Sequence, residues 1–113
     1  MIKVVNKIWG SEEWLVNRKM YCAKYLYLKH GYQCSLQYHK EKDETFYCLE
    51  GLVKLEVDNK VYTLAKGQQF HIPKTVIHRF TPVTKTAKIL EISTHHEDSD
   101  TYRLEKGGKI ENA

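Results

Sequence analysis

Apolar side chains in this chain recur at every second residue, in runs too short for helices, and that period restricts the fold more than any other feature. "GLVKLEV" (51–57) sets Val53, Leu55 and Val57 on one face. "DNK" (58–60) offers a tight turn and "KVYTLA" (60–65) completes a hairpin. "MYCAKYLYLK" (20–29) alternates Tyr25 and Tyr27 against Leu26 and Leu28. "SLQYH" (35–39), "TFYCLE" (45–50), "QQFHIP" (68–73), "VIHRFTP" (76–82) and "AKILEIST" (87–94) are further strand-like runs, with Gly67 and Pro73 as punctuation. No window of about a dozen residues holds i, i+3, i+4 apolar spacing. Roughly nine short strands with turns every 8–12 residues predict an all-β sandwich or barrel.

At 113 residues the chain is expected to form one domain, 1–113, with its core within about 7–105 and a loose Gly- and Lys-containing tail over 106–113. A hydrophobic content of 42% supports a small core. No apolar run approaches the roughly 18 residues of a membrane helix and nothing resembles a signal peptide, so a cytoplasmic protein without membrane contact is expected. The net charge of +4 comes with scattered lysines, which argues against nucleic acid and suits an anionic small molecule. Cys22, Cys34 and Cys48 are odd in number and form no C-x-x-C pair. They read as buried thiols, neither a disulfide framework nor a zinc knuckle.

One stretch, "GYQCSLQYHKEKDETFYCLEG" (31–51), reads either as a hairpin with a polar face or as most of a metal site. Gln37 and His39, two apart on a strand, share a face. A turn through "KEKD" (40–43) would lay the next strand antiparallel and bring Glu44 alongside His39. His78, after a hairpin-like "GQQFHIPKTVIH", is the candidate fourth ligand. A mixed N/O set suits one divalent ion among zinc, manganese, cobalt, nickel and iron.

These spacings resemble the two halves of the cupin signature. Gly31, Gln37, His39, Glu44 and Gly51 follow G-x5-H-x-H-x(3,4)-E-x6-G, with Gln37 in place of a histidine. Gly67, Pro73, Thr75 and His78 follow G-x5-P-x-G-x2-H-x3-N, with Thr75 for a glycine and Pro82 for the final asparagine. The chain is further similar to type II mannose-6-phosphate isomerases, including the isomerase domain of bifunctional mannose-1-phosphate guanylyltransferases. "SLQYH" resembles that family's S-L-Q-x-H, where glutamine is the usual first ligand. "KIWGSEEWLVN", "FHIPKTVIHRF" and "ILEISTHHEDSDTYRLE" resemble its opening, middle and closing segments. After Arg103 the likeness stops, since Lys106 and "GGKI" replace the family's D-x-Y-G-R.

The resemblance implies a cupin-type double-stranded β-helix, a jelly-roll barrel, with Gln37, His39, Glu44 and His78 on a metal. It implies aldose–ketose isomerisation of a sugar or sugar phosphate of the mannose or lyxose type, in a homodimer. That chemistry asks for a carboxylate that can take a carbon-bound proton, here Glu91, and for cations near the ligands, here Lys42 and Lys40. Arg79 and Arg103 are candidates for gripping phosphate. His71 would point outward or line the pocket, while His30, His95 and His96 are expected in loops. Trp9 and Trp14 are expected to cap the barrel or form a subunit contact, and Tyr38 and Tyr47 to pack on the outer sheet. Two other readings stay open: a non-catalytic sugar- or nucleotide-sugar-binding domain, and a metal-dependent dioxygenase.

Overall fold

Period-two burial runs along the strands. Val53, Leu55 and Val57 are buried while Lys54 and Glu56 between them are half-exposed. Each such side chain stabilises the fold by about 1.5–3 kcal/mol. In the computed structural model, which describes residues 3–110, the strands are β1 (Lys3–Lys7), β2 (Gly10–Asn17), β3 (Cys22–Lys29), β4 (Tyr32–Gln33), β5 (Leu36–Tyr38), β6 (Glu44–Glu50) and β7 (Leu52–Val57). They continue as β8 (Lys60–Ala65), β9 (Gln69–Ile72), β10 (His78–Pro82), β11 (Thr86–Ser93), β12 (Tyr102–Glu105) and β13 (Gly108–Lys109), with a 3-10 turn at Asp98–Asp100. No helix among the described residues is long and apolar enough to cross a membrane.

Two sheets face each other in a jelly roll. One has the order β1-β2-β3-β11-β6-β9, the other β12-β5-β10-β7-β8, and a β13-β4 pair lies to the side. Phe46 of the first sheet meets Phe80 of the second edge-on, with ring centroids 5.8 Å apart. Asp58 (φ 51°) and Asn59 (φ 64°) make the left-handed two-residue turn between β7 and β8. Gly51 (φ 77°) carries the chain from β6 to β7 where a Cβ would collide with the carbonyl of Thr86 and the hydroxyl of Thr84. All three cysteines are free and buried.

The topology corrects two local expectations. Residues 37–44 and 67–78 are not hairpins. β5 and β10 belong to one sheet, β6 and β9 to the other, so both connections cross between sheets. At the N-terminus, β1 and β2 form a hairpin that extends the first sheet. At the other end, residues expected to be loose are tied down. β13 pairs with β4, and the N–H of Ile110 donates to the carbonyl of Gly31 at 2.7 Å. Residues 111–113 of that tail lie outside the described part.

The inward stripes change character along their length. From one end to the other, β3 runs Leu28, Leu26, Lys24, Cys22, and β11 runs Ala87, Ile89, Glu91, Ser93. β6 runs Cys48, Phe46, Glu44, and β10 places Phe80 before His78. Registers of Glu91 with Lys24 and Ser93 with Glu44 align these changes, so one end of the interior is apolar and the other polar.

Thr75 stands where the resembled signature has glycine, and it keeps the glycine-like backbone at φ 72°. Its N–H donates to the carbonyl of His39 at 2.6 Å, docking the 73–77 loop beside the site. A β-branched residue there is strained by about 1–2 kcal/mol, while glycine would lose about 0.5–1 kcal/mol through backbone entropy. Thr75→Gly should therefore raise stability by up to about 1.5 kcal/mol. The measurement is a urea midpoint at unchanged slope, and a lowered midpoint would show that the threonine makes contacts that outweigh its strain.

Candidate metal centre

His39 follows β5, Glu44 opens β6 and His78 opens β10, so strand ends from both sheets bring these groups together. Their ligand atoms all lie within 4.8 Å of one another. Glu44 Oε1 is 3.2 Å from His78 Nε2, and Glu44 Oε2 is 3.5 Å from His39 Nε2. The three residues are 4%, 2% and 1% exposed for His39, Glu44 and His78. Buried polar atoms normally have well-directed hydrogen bonds. Here His39 Nε2, His78 Nε2 and Glu44 Oε2 have none. Lys42 Nζ lies 3.1 Å from Glu44 Oε2, an ion-pair distance without hydrogen-bond direction.

The far nitrogen of each imidazole is committed. His39 Nδ1 meets the carbonyl of Asp100 at 3.1 Å, and His78 Nδ1 meets the carbonyl of Val76 at 2.9 Å. A carbonyl only accepts, so both Nδ1 atoms carry a proton and both Nε2 atoms face Glu44. Such backing is the usual support of a metal-binding histidine. Two imidazole nitrogens and a carboxylate, buried, convergent and otherwise unbonded, fit a borderline divalent ion.

Electrostatics favour a neutral imidazole at His39 and a protonated one at His78. Burial lowers the pKa of His39 and outweighs the raising effect of Glu44. For His78 burial also lowers it, but the Glu44 carboxylate beside it leaves it raised. Burial alone would raise the pKa of Glu44, yet Lys42 and the two histidines hold it well below the usual carboxylate range. Burial works against a charged Lys42, but Glu91 and Glu44 outweigh it and raise its pKa.

His39, Glu44 and Lys42 line a cavity of about 290 Å³ at the polar end of the interior. Gln37, Lys42, Glu91 and Arg103 share it. Gln37 sits across from His78 in the β5–β10 register, and its Oε1 accepts from Ser35 Oγ at 2.6 Å. Lys42 Nζ stands 3.1 Å from Glu91 Oε2 and 3.1 Å from His96 Nδ1.

Two cations expected at the site are elsewhere. Lys40 is exposed, with its ammonium 4.6 Å from the centre of the Tyr102 ring. Arg79 faces away from the cavity and is used by the fold: Nε donates to the Cys34 carbonyl at 2.9 Å, and Nη1 to Glu105 at 3.2 Å. Trp9 packs in the core edge-on to Phe80, and Trp14 lies under the ammonium of Lys24, 4.1 Å from ring centre to nitrogen. His71 points outward onto Asp43.

Other residues of the site escaped the sequence reading. Lys24, 1% exposed, faces the cavity 3.6 Å from Glu12. Its signal was its phase with Leu26 and Leu28. His96 lies in a loop as expected but is buried, accepting from Lys42 and donating from Nε2 to Asp98 at 2.8 Å. Burial, then Lys42 and Lys24, lower its pKa, which keeps it neutral.

Comparisons with known proteins agree with this architecture. The family described as "Cupin domain" matches residues 24–93. A mannose-1-phosphate guanylyltransferase of Sinorhizobium fredii is 26% identical over 87 residues, 76% of this chain and 17% of that protein. The alginate biosynthesis protein AlgA of Pseudomonas aeruginosa is 27% identical over 104 residues, 89% of this chain and 22% of that protein. The chain thus spans less than a quarter of the length of either relative. Oxalate decarboxylase of Bacillus subtilis, a protein with Mn(II) centres, superposes with a TM-score of 0.81 at 16% identity, over 91% of this chain and 30% of that one. That likeness is one of fold.

The neutral state of His96 has a pH signature in protein stripped of metal. Its folded pKa lies below the unfolded value of about 6.5. Its contribution is therefore present above pH about 6.5 and lost as the pH falls through the folded value. The stability difference between the parent and His96→Gln should narrow between pH 7 and 5, read from urea midpoints. A gap that widens on acidification would mean that His96 is held charged.

Proposed function

The chain belongs to the cupin family, and on that premise we propose that it holds one divalent metal ion and isomerises a sugar or sugar phosphate of the mannose type. The observation that carries the metal is the convergence of His39 Nε2, Glu44 Oε2 and His78 Nε2, buried and without hydrogen bonds. Gln37, with its oxygen turned to Ser35 in the same cavity, is the fourth donor we assign. When bound, the ion would supply Lewis-acid polarisation of hydroxyl and carbonyl oxygens.

The remaining chemistry belongs to side chains. Glu91 faces the cavity and takes the proton on C2 of the aldose, then returns it to C1 while the hydroxyl proton passes from O2 to O1, so no oxidant or reductant enters. Lys42, held between Glu91 and Glu44, offers a fixed positive charge to the oxygen that becomes negative between those two proton transfers. Arg103, exposed at the mouth, is the cation available to an anionic substituent. The names of the two relatives, one a mannose-1-phosphate guanylyltransferase, support a sugar ligand. Three buried free thiols support a reducing compartment, the cytoplasm. A homodimer through the outer sheet face of Tyr27, Tyr47 and Ile92 completes the proposal, and sedimentation as a monomer would remove that part.

A second reading has an observation of its own. Two histidines and one carboxylate are the set of many iron oxygenases. Oxygen uptake with ferrous iron, absent with manganese, cobalt or zinc, would favour it over isomerisation. Ligand-dependent melting without turnover would instead describe a binding domain.

Two substitutions test the assignment. Glu91→Gln should keep the metal and lower isomerase turnover by about 100-fold or more; unchanged turnover removes Glu91 from the chemistry. His39→Ala should stay folded on its intact apolar end yet lose the metal by elemental analysis, and a full retained equivalent would contradict the ligand set.

A further inference from the structure

A loop that crosses between two sheets must find partners for its own N–H groups, and the loop carrying His39 and Lys42 finds nearly all of them in one distant residue. Asp100 ends the 3-10 turn between β11 and β12 and is buried. Its Oδ1 accepts from the N–H of Lys40 at 2.9 Å and of Glu41 at 3.1 Å. Its Oδ2 accepts from Glu41 at 3.1 Å and Lys42 at 3.0 Å. Its main-chain carbonyl accepts from His39 Nδ1 at 3.1 Å. Two further bonds close the same seam: Thr94 N–H to the Asp43 carbonyl, and Asp43 N–H to Thr94 Oγ1, both 3.0 Å.

We infer that Asp100 is a positioning residue for the proposed metal centre: one residue holds the His39–Lys42 loop through its carboxylate and the His39 imidazole through its carbonyl, aiming His39 Nε2 and Lys42 Nζ into the cavity. The inference rests on the metal reading above. The two attachments act on different things. The carboxylate sets where the loop sits, and with it the start of the Lys42 side chain that reaches Glu44, Glu91 and His96. The carbonyl sets the imidazole tautomer, since only a protonated Nδ1 can bond to it, which leaves Nε2 free to coordinate. Both oxygens of the carboxylate are needed, because three consecutive N–H groups are spread across them. An amide in the same place turns an NH₂ group onto one of those N–H groups, donor against donor. The effect is local to the loop, so an ordinary loss of stability elsewhere does not reproduce it.

The test uses Asp100→Asn, with Asp100→Ala as the stronger lesion and Leu64→Ala as a core variant that lowers stability away from the site. In chelator-treated protein, nitrogen NMR of the histidines should show His39 as the Nδ1–H tautomer in the parent and as a mixture in Asp100→Asn, with faster amide exchange at residues 40–42. Titration with cobalt(II) against a competing chelator should show about 10–100-fold weaker binding for Asp100→Asn, with an altered visible spectrum. Leu64→Ala should bind cobalt as the parent does. An unchanged tautomer, or parent-like cobalt affinity and spectrum in Asp100→Asn and Asp100→Ala, overturns the inference while the metal reading stands. A parent that takes up no cobalt, with its His39 tautomer as stated, overturns the metal reading and with it the purpose assigned to Asp100.

Discussion

A carboxylate buried between two imidazoles and an ammonium is the constraint around which this molecule is arranged. Removing a charge such as Glu44 from water costs several kcal/mol even after the protein relaxes. It is tolerated only if neighbouring groups of opposite character are held at fixed distances. Lys42 is the cation among them, and it and the two imidazoles are each held in turn by further groups. His78 is held by its own strand end through Val76, His39 by Asp100, and Lys42 by Glu91, Glu44 and His96.

The two sheets supply different parts of this arrangement. β6 and β11 of the larger sheet contribute Glu44 and Glu91, while β5 and β10 of the smaller one contribute Gln37 and His78. No hairpin could assemble the set, because its members lie on facing layers. The chain meets the requirement by changing sheet beside these residues, at 39–43 and again at 73–77. The Thr75 N–H bond to His39 joins these two crossings.

Much of the fold was legible because burial in a sandwich imposes a period of two, and most long strands obey it. β1 and β2 did not, since β2 is half-buried along its whole length and offers no contrast between faces. β4 and β13, two residues each, are too short to carry a pattern. In the site, His39, Glu44 and His78 were legible through their spacing, although the hairpin geometry imagined for them was wrong. Lys40 failed because a loop residue has no strand phase to aim it. Arg79 failed because its neighbours His78 and Phe80 take the inward positions, and the C-terminal segment covers the other face. Asp100 could not be read from spacing: its partners lie about 60 positions earlier in the chain and it offers no periodic signal.

The gradient along the inward stripes has an evolutionary corollary. Leu28, Ala87 and Cys48 at one pole belong to an apolar core that does not depend on which donors stand at the other. A lineage can exchange a histidine for Gln37, or lengthen a rim loop, and change its site without risking its existence. Such a body tolerates repeated retooling, which is one physical reason that chains with so little residue identity can share this shape.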